Sequence, residues 1–262
     1  MEEGLAKKGD RDYSVRSVLK GLKVIDILAE IPGGLGITTI AEKLGVAKSS
    51  SHRLVTTLEK AGYVTHDQQT GRYRLTFKIF ELGSNLLRGR GFNEHVAYLL
   101  EQLSTTTNCV VKMSLHEGGQ MLCVYRVNSR EVFRMDLSVG TRLPLHCTGM
   151  GKAYLASLKE EDLSWYLRFT TMDAYTKNTI TTSERLIKEI RQARTQGYVV
   201  DKGEHSEDVW CIATAVVDHL GHTVSVLSIS GPVLLMKQRD LHQLGKEVRE
   251  TARKISIIIG YA

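Results

Sequence analysis

Lys48-Ser49-Ser50-Ser51-His52-Arg53-Leu54-Val55-Thr56-Thr57-Leu58-Glu59-Lys60-Ala61 separates into two faces when wound at 3.6 residues per turn, and that separation decides the fold of the first third of the chain. Ser51, Leu54, Val55 and Leu58 make an inward stripe, while Ser49, Ser50, Arg53 and Thr57 fall on the opposite side, which is short, polar and basic. Immediately upstream, Thr38 or Thr39 can cap a shorter helix that buries Ile40, Ala41 and Leu44 and stops at Gly45. Two helices joined by the tight turn Gly45-Val46-Ala47 predict a helix-turn-helix, a motif whose second helix lies in the major groove of DNA with its N-terminal residues at the base edges. Ser49, Ser50 and Arg53 occupy those positions. Arg forks onto guanine, Ser exchanges hydrogen bonds with several bases, and Lys48 beside the helix N-terminus suits a phosphate.

Before this pair, Val15, Val18, Leu19, Leu22, Ile25 and Leu28 recur at spacings of three and four, the stripe of a helix that ends near Ile31-Pro32-Gly33-Gly34. After it, Tyr63-Val64-Thr65-His66, the loop Asp67-Gln68-Gln69-Thr70-Gly71 and Arg72-Tyr73-Arg74-Leu75 read as a hairpin wing. Arg72 and Arg74 share one face of its second strand, within reach of a phosphate or a minor groove. A solvated helix face and a soluble strand edge would carry the same residue types, so the assignment rests on the whole series and on no single residue.

The chain of 262 residues has room for two domains. Its net charge of +6 is uneven: residues 1–92 carry 15 Lys and Arg against 10 Asp and Glu, whereas residues 93–262 carry 20 against 19. A basic small domain suits a polyanion partner such as double-stranded DNA. No apolar run is long enough to span a bilayer, and the charged residues 1–13 read as a disordered cytoplasmic tail without a secretion signal. Cys109, Cys123, Cys147 and Cys211 stand far apart with no C-x-x-C pair, as expected of reduced thiols in a cytoplasm.

Residues 77–91 continue with a helical period through Phe80, Leu82, Leu86 and Leu87, more apolar surface than a free linker helix needs. This surface, with the exposed part of the first helix, is expected to carry a homodimer contact. From 92 onward the pattern alternates between helices (92–107, 149–158, 183–196, 237–258) and strands (109–115, 121–127, 198–202, 210–217, 223–229), which predicts an α+β domain with a largely antiparallel sheet. The division is therefore 1–13 tail, 14–76 winged helix-turn-helix, 77–91 linker helix and 92–262 second domain. Ser228 and Ser230 lie two apart on a strand, so their hydroxyls share a face, and Cys211 on the preceding strand can pair near them. Asp201 ends an earlier strand, and the loop 203–208 can close over the group.

The runs Ile40-Ala41-Glu42-Lys43-Leu44-Gly45, Lys48-Ser49-Ser50-Ser51-His52-Arg53-Leu54, Leu58-Glu59-Lys60-Ala61-Gly62-Tyr63-Val64 and Thr70-Gly71-Arg72-Tyr73-Arg74-Leu75 together resemble the IclR-type transcription regulators in order and spacing. The resemblance continues through Arg142-Leu143-Pro144-Leu145-His146, Gly149-Met150-Gly151-Lys152-Ala153 and Ser228-Ile229-Ser230-Gly231-Pro232. It implies a GAF-like effector-binding domain, a site lined by Asp201, Cys211, Ser228, Ser230 and backbone near Gly149 and Met150, and dimers that pair into tetramers. Asp208 stands where that family usually has Gly, and Ala215 where it usually has Pro. Hydroxyl donors beside a helix N-terminus at Gly149 favour a small organic acid (a hydroxy, keto or sugar acid), with Asp201 meeting a donor on the ligand. No cofactor is expected. The rival readings are an enzyme with Cys211 as nucleophile and His146 or His205 as base, a metal- or thiol-dependent sensor built on His146, Cys147 and Cys211, and a winged helix used only for protein contacts.

Overall fold

The computed structural model describes residues 14–129 and 138–260, so the expected tail at 1–13 lies outside the described residues. The chain divides into two compact units between Leu87 and Arg88.

The first unit begins with α1 (Arg16–Ala29), β1 (Leu35–Gly36), α2 (Ile37–Leu44) and α3 (Lys48–Lys60). It continues through the wing strands β2 (Val64–Asp67) and β3 (Arg72–Leu75) into α4 (Lys78–Arg88), which runs across the division. Val24, Ile27, Leu28, Ile40, Leu44, Val55, Val64 and Tyr73 form its core. Two expectations are corrected here. Most of the stripe read along α1 does not face this core: Val15, Val18, Leu19 and Leu22 are 54–60% exposed, and only its last member, Leu28, is buried, beside Val24 and Ile27 from outside the stripe. Neither Thr38 nor Thr39 caps α2, because Leu35 and Gly36 pair with Tyr73 and Arg72 and the helix starts directly from that strand, with Gly36 in the cap position. Gly45 closes α2 in the left-handed conformation (φ 64°), which a side chain would strain.

The second unit is a six-stranded antiparallel sheet covered on both faces. Its strands are β4 (Val110–Glu117), β5 (Gln120–Val127), β6 (Arg142–Leu143), β7 (Val199–Lys202), β8 (Val209–Val217) and β9 (Thr223–Pro232), in the order β6-β5-β4-β9-β8-β7. On one face α5 (Glu94–Thr107) and α10 (Leu241–Gly260) pack Leu100, Leu103, Val248 and Ile255 against Val111, Met113, Ile212, Leu227 and Ile229. On the other, α6 (Gly149–Ser157), α7 (Glu160–Phe169) and α8 (Ser183–Gln196) pack Leu155, Leu163, Leu186 and Ile190 against Val199, Ala213 and Val226. Strand alternation then sends Lys112, Ser114, Ser228, Ser230 and Cys211 toward the α6 side. The last helix is not continuous from 237: α9 (Val233–Met236) is followed by a break in which the Asp240 carboxylate accepts from His242 and Gln243 N–H at 2.9 and 3.1 Å, and α10 starts from that cap. Helix α7 and strands β1 and β6 were not anticipated from the sequence.

Candidate DNA interface and effector site

In the first unit Lys48, Ser49, Ser50, Arg53 and Thr57 are all exposed on α3, while Ser51 and Val55 are buried beneath them. The Thr57 hydroxyl donates to the Arg53 carbonyl at 2.8 Å, leaving its oxygen lone pairs as what it can offer outward. In the wing, Asp67 organises the turn by accepting from Gln69 N–H (3.0 Å) and Thr70 N–H (3.2 Å), and the Thr70 N–H foremost holds its carboxyl below the usual carboxylate range. Arg74 pairs with the other Asp67 oxygen at 3.2 Å, and Arg72 reaches the Gly34 carbonyl at 3.5 Å. Both guanidiniums stay on the exposed face of β3, and a surface pair worth about 0–1 kcal/mol yields readily to a phosphate.

The second constellation lies where α6 crosses the sheet. Cys211 stands between Asp201 on β7 and Ser230 on β9 in one row of pairs, and its thiol meets the Ser230 hydroxyl at 2.8 Å. The neighbouring row runs Arg126, Lys112, Ser228, Ala213 and Val199 across β5, β4, β9, β8 and β7. Gly149 opens α6 directly above: a Cβ there would sit 3.0 Å from the Cys211 Cβ and 3.5 Å from that of Asp201. Ser114 donates to the Met150 sulfur at 2.8 Å. The structure thus brings Gly149, Met150, Asp201, Cys211, Ser228 and Ser230 together.

The roles expected of two of these features change. Asp201, 4% exposed, accepts Gly149 N–H at 3.2 Å on one oxygen and Gly203 and Glu204 N–H at 3.1 and 2.9 Å on the other. It ties the start of α6 to the loop after β7, and its oxygens are engaged before any ligand arrives. Burial pushes its carboxyl up, against the pull of Lys152 and of these N–H groups. The Gly151 N–H is likewise taken, by the Thr148 hydroxyl at 3.0 Å. The N-terminus of α6 is therefore capped by the chain itself, which weakens it as an anion seat. Asp208 does not adopt a left-handed backbone; Gly203 does (φ 84°), so the loop turns there and position 208 needs no glycine.

Sequence reasoning missed three charged residues. Lys152, fully buried on α6, pairs with the buried Glu204 and lies 3.6 Å from Glu189. Burial raises Glu204 to about 7, the Lys152 charge opposing. Lys112, 1% exposed, has no hydrogen-bond partner at its Nζ, and Ser228, directly across in register, has none at its Oγ. The available signal was a lysine at an inward position of Val110-Val111-Lys112-Met113-Ser114-Leu115, otherwise apolar. His205 sits nearby, its imidazole pushed down mainly by burial and also by the charges of His146 and Lys112.

The helix-turn-helix domain of IclR regulators matches residues 17–68, and the bacterial transcriptional regulator IclR C-terminal domain matches residues 86–257. The chain belongs to the IclR family. It is 30% identical over 258 residues to the HTH-type transcriptional repressor AllR of Escherichia coli K12, covering 98% of this chain and 93% of that protein. It also resembles the solved structure of the Thermotoga maritima IclR, with a TM-score of 0.81 at 28% identity over 94% of this chain and 99% of that one. An IclR homolog from Microbacterium hydrocarbonoxydans, solved in complex with 4-hydroxybenzoate, shares the fold at TM-score 0.80 and 22% identity, over 94% of this chain and 100% of that one. As an IclR-family member the protein is a DNA-binding transcription regulator with a C-terminal ligand-binding domain. No helix among the described residues is long and apolar enough to cross a membrane.

Proposed function

We propose that this regulator is a cytoplasmic repressor that binds a two-fold DNA site as a homodimer through Lys48, Ser49, Ser50, Arg53 and Thr57, with Arg72 and Arg74 on flanking phosphates. Support for pairing comes from apolar surface on the first unit: Val15, Val18, Leu19 and Leu22 along α1, and Phe77, Phe80, Leu82 and Leu86 at and along α4, all between 47% and 85% exposed. A monomer in water rarely leaves so much apolar surface uncovered. DNA selected from a random pool is expected to show two symmetric half-sites, and the protein to sediment as a dimer or larger at micromolar concentration. Arg53→Ala should weaken binding to the selected site by roughly 1–3 kcal/mol and relax its sequence preference, while Arg72→Ala weakens all sequences alike. An asymmetric selected site, a monomer, or an Arg53→Ala protein with unaltered preference would each sink the reading.

The second domain is read as the sensor of a small organic acid. What carries this is the polar content of the α6 side of the sheet: Lys112 Nζ and Ser228 Oγ are buried and unpartnered in a region where folding alone favours apolar side chains. A relative of this fold is known bound to 4-hydroxybenzoate, an acid. The thiols argue against the enzyme reading, because burial pushes Cys211 up to about 11 and Cys147 up to about 12, the reverse of what a nucleophile requires. An acid that raises the melting temperature should shift DNA affinity by about 5- to 150-fold, with DNA shifting acid affinity equally. The Ser228→Ala, Ser230→Ala double variant should lose the thermal response. A hit that stabilises both proteins alike places the ligand elsewhere, and one that leaves DNA affinity untouched removes the sensor role.

A further inference from the structure

We propose that Lys112 is the anion anchor of the ligand site: the effector is an acid whose carboxylate is gripped by Lys112 Nζ together with Ser228 Oγ, on the sheet and not at the N-terminus of α6. The proposal rests on the acid-sensor reading above and names the group that determines which ligands the site accepts.

Lys112 is the third residue of β4, one of the two central strands of the sheet, and is 1% exposed. Its ammonium has no hydrogen-bond partner, and two buried carboxylates of the described residues on this side of the sheet are engaged elsewhere: Asp201 accepts from three backbone N–H groups, and Glu204 gives one oxygen to Lys152 and keeps the other unpartnered. Next to it in register stands a second cation, Arg126, which has contacts of its own. Like charges directly opposite each other on two strands disfavour folding, and a buried unpaired ion disfavours it far more. A methionine would fill the same space without a charge to desolvate, so a lysine here is accounted for by an anion that arrives after folding. Its charge reaches its neighbours: burial pushes the Cys211 and Cys123 thiols up with Lys112 opposing, and burial pushes His205 down with Lys112 adding a smaller part.

Ser228 completes the grip. It is fully buried, paired across the β4–β9 ladder with Lys112, and its hydroxyl is unsatisfied. Opposed residues on neighbouring strands bring their Cβ atoms to about 4.5–5.5 Å, the separation at which an ammonium and a hydroxyl share one carboxylate. The rest of the ligand then lies over Ala213 toward the Cys211–Ser230 pair in the adjacent row, where weak donors suit a hydroxyl or carbonyl.

The test uses three matched pairs, each an acid and its primary amide: pyruvate and pyruvamide, lactate and lactamide, 4-hydroxybenzoate and 4-hydroxybenzamide. Wild type and Lys112→Met are melted alone and titrated with each compound. The expected results are that Lys112→Met without ligand melts above wild type, that wild type prefers at least one acid over its amide by about 30-fold or more, and that Lys112→Met loses that preference. A variant that melts below wild type, or fails to fold, shows that Lys112 is satisfied by the protein itself and overturns the proposal. An acid that binds both proteins within about threefold overturns the proposal alone. If none of the acids binds wild type, the acid-sensor reading falls and takes this one with it.

Discussion

Lys152→Met is expected to destabilise the C-terminal unit by about 3–5 kcal/mol at pH 8 and by no more than about 1 kcal/mol at pH 5. Lys152 is fully buried, Glu204 is 6% exposed, and removing one partner of such a pair leaves the other charge without compensation. The pH dependence comes from Glu204, whose carboxyl burial raises from 4.5 to about 7 even with Lys152 present. A group raised on folding contributes stability that is complete below its unfolded value and is lost as pH climbs through the folded value. Wild type should therefore lose stability between about pH 5 and pH 8, and the variant, lacking the opposing lysine charge, should lose more over the same interval. At pH 5 the carboxyl is neutral in both proteins, and methionine fills the space of the lysine stem. Urea denaturation at the two pH values decides the matter. An equal loss at both would show that packing alone is at stake, and adding Glu204→Gln to Lys152→Met should remove most of the difference.

Gly151→Ala should be more damaging still. A Cβ at this position would lie 2.3 Å from both the Cα and the carbonyl oxygen of Leu145, which are backbone atoms with no rotamer to escape into. The turn that leads from Leu145 through Thr148 into α6 is closed at both ends, by Thr148 Oγ1 accepting from Gly151 N–H and donating to the Pro144 carbonyl at 2.7 Å. The expected loss is about 4 kcal/mol or more, a large share of the stability of an ordinary domain, so the variant should be recovered with its C-terminal unit unfolded. Gly83→Ala is the matched control. Its Cβ would meet nothing within 4 Å on α4, and it should stabilise that helix by about 0.5–1 kcal/mol. A Gly151→Ala protein that melts within a few degrees of wild type would mean that α6 does not approach Leu145 this closely.

The recognition helix could be read directly because its two faces differ in chemistry as well as in spacing. Ser49, Ser50, Arg53 and Thr57 could not be buried without cost and Val55 could not be exposed without loss, so periodicity and burial agree. In α1 they part company. The stripe from Val15 to Leu28 and the face through Val24 and Ile27 are both apolar, and nothing local says which one meets the core. The site was legible in the same partial way. Strand alternation puts Ser228 and Ser230 on one face, but whether a polar side chain there is satisfied depends on strands and loops far away in the chain. Asp201 is taken by Gly149, 52 residues distant, and among the described residues none hydrogen-bonds the Lys112 ammonium.

By itself the sequence determined most of the elements and the faces of the recognition helix: the helix-turn-helix and its wing, the main antiparallel strands of the second unit, and the turn at Gly45, since these follow from spacing, side-chain size and backbone freedom within a few residues. Only the tertiary structure decided which apolar face of α1 is covered, that the start of α6 is capped from β7, and that Lys112 stands buried without a counterion. Those outcomes depend on desolvation and on competition for partners, which are set by whatever long-range packing brings within about 4 Å and leave no mark on local periodicity.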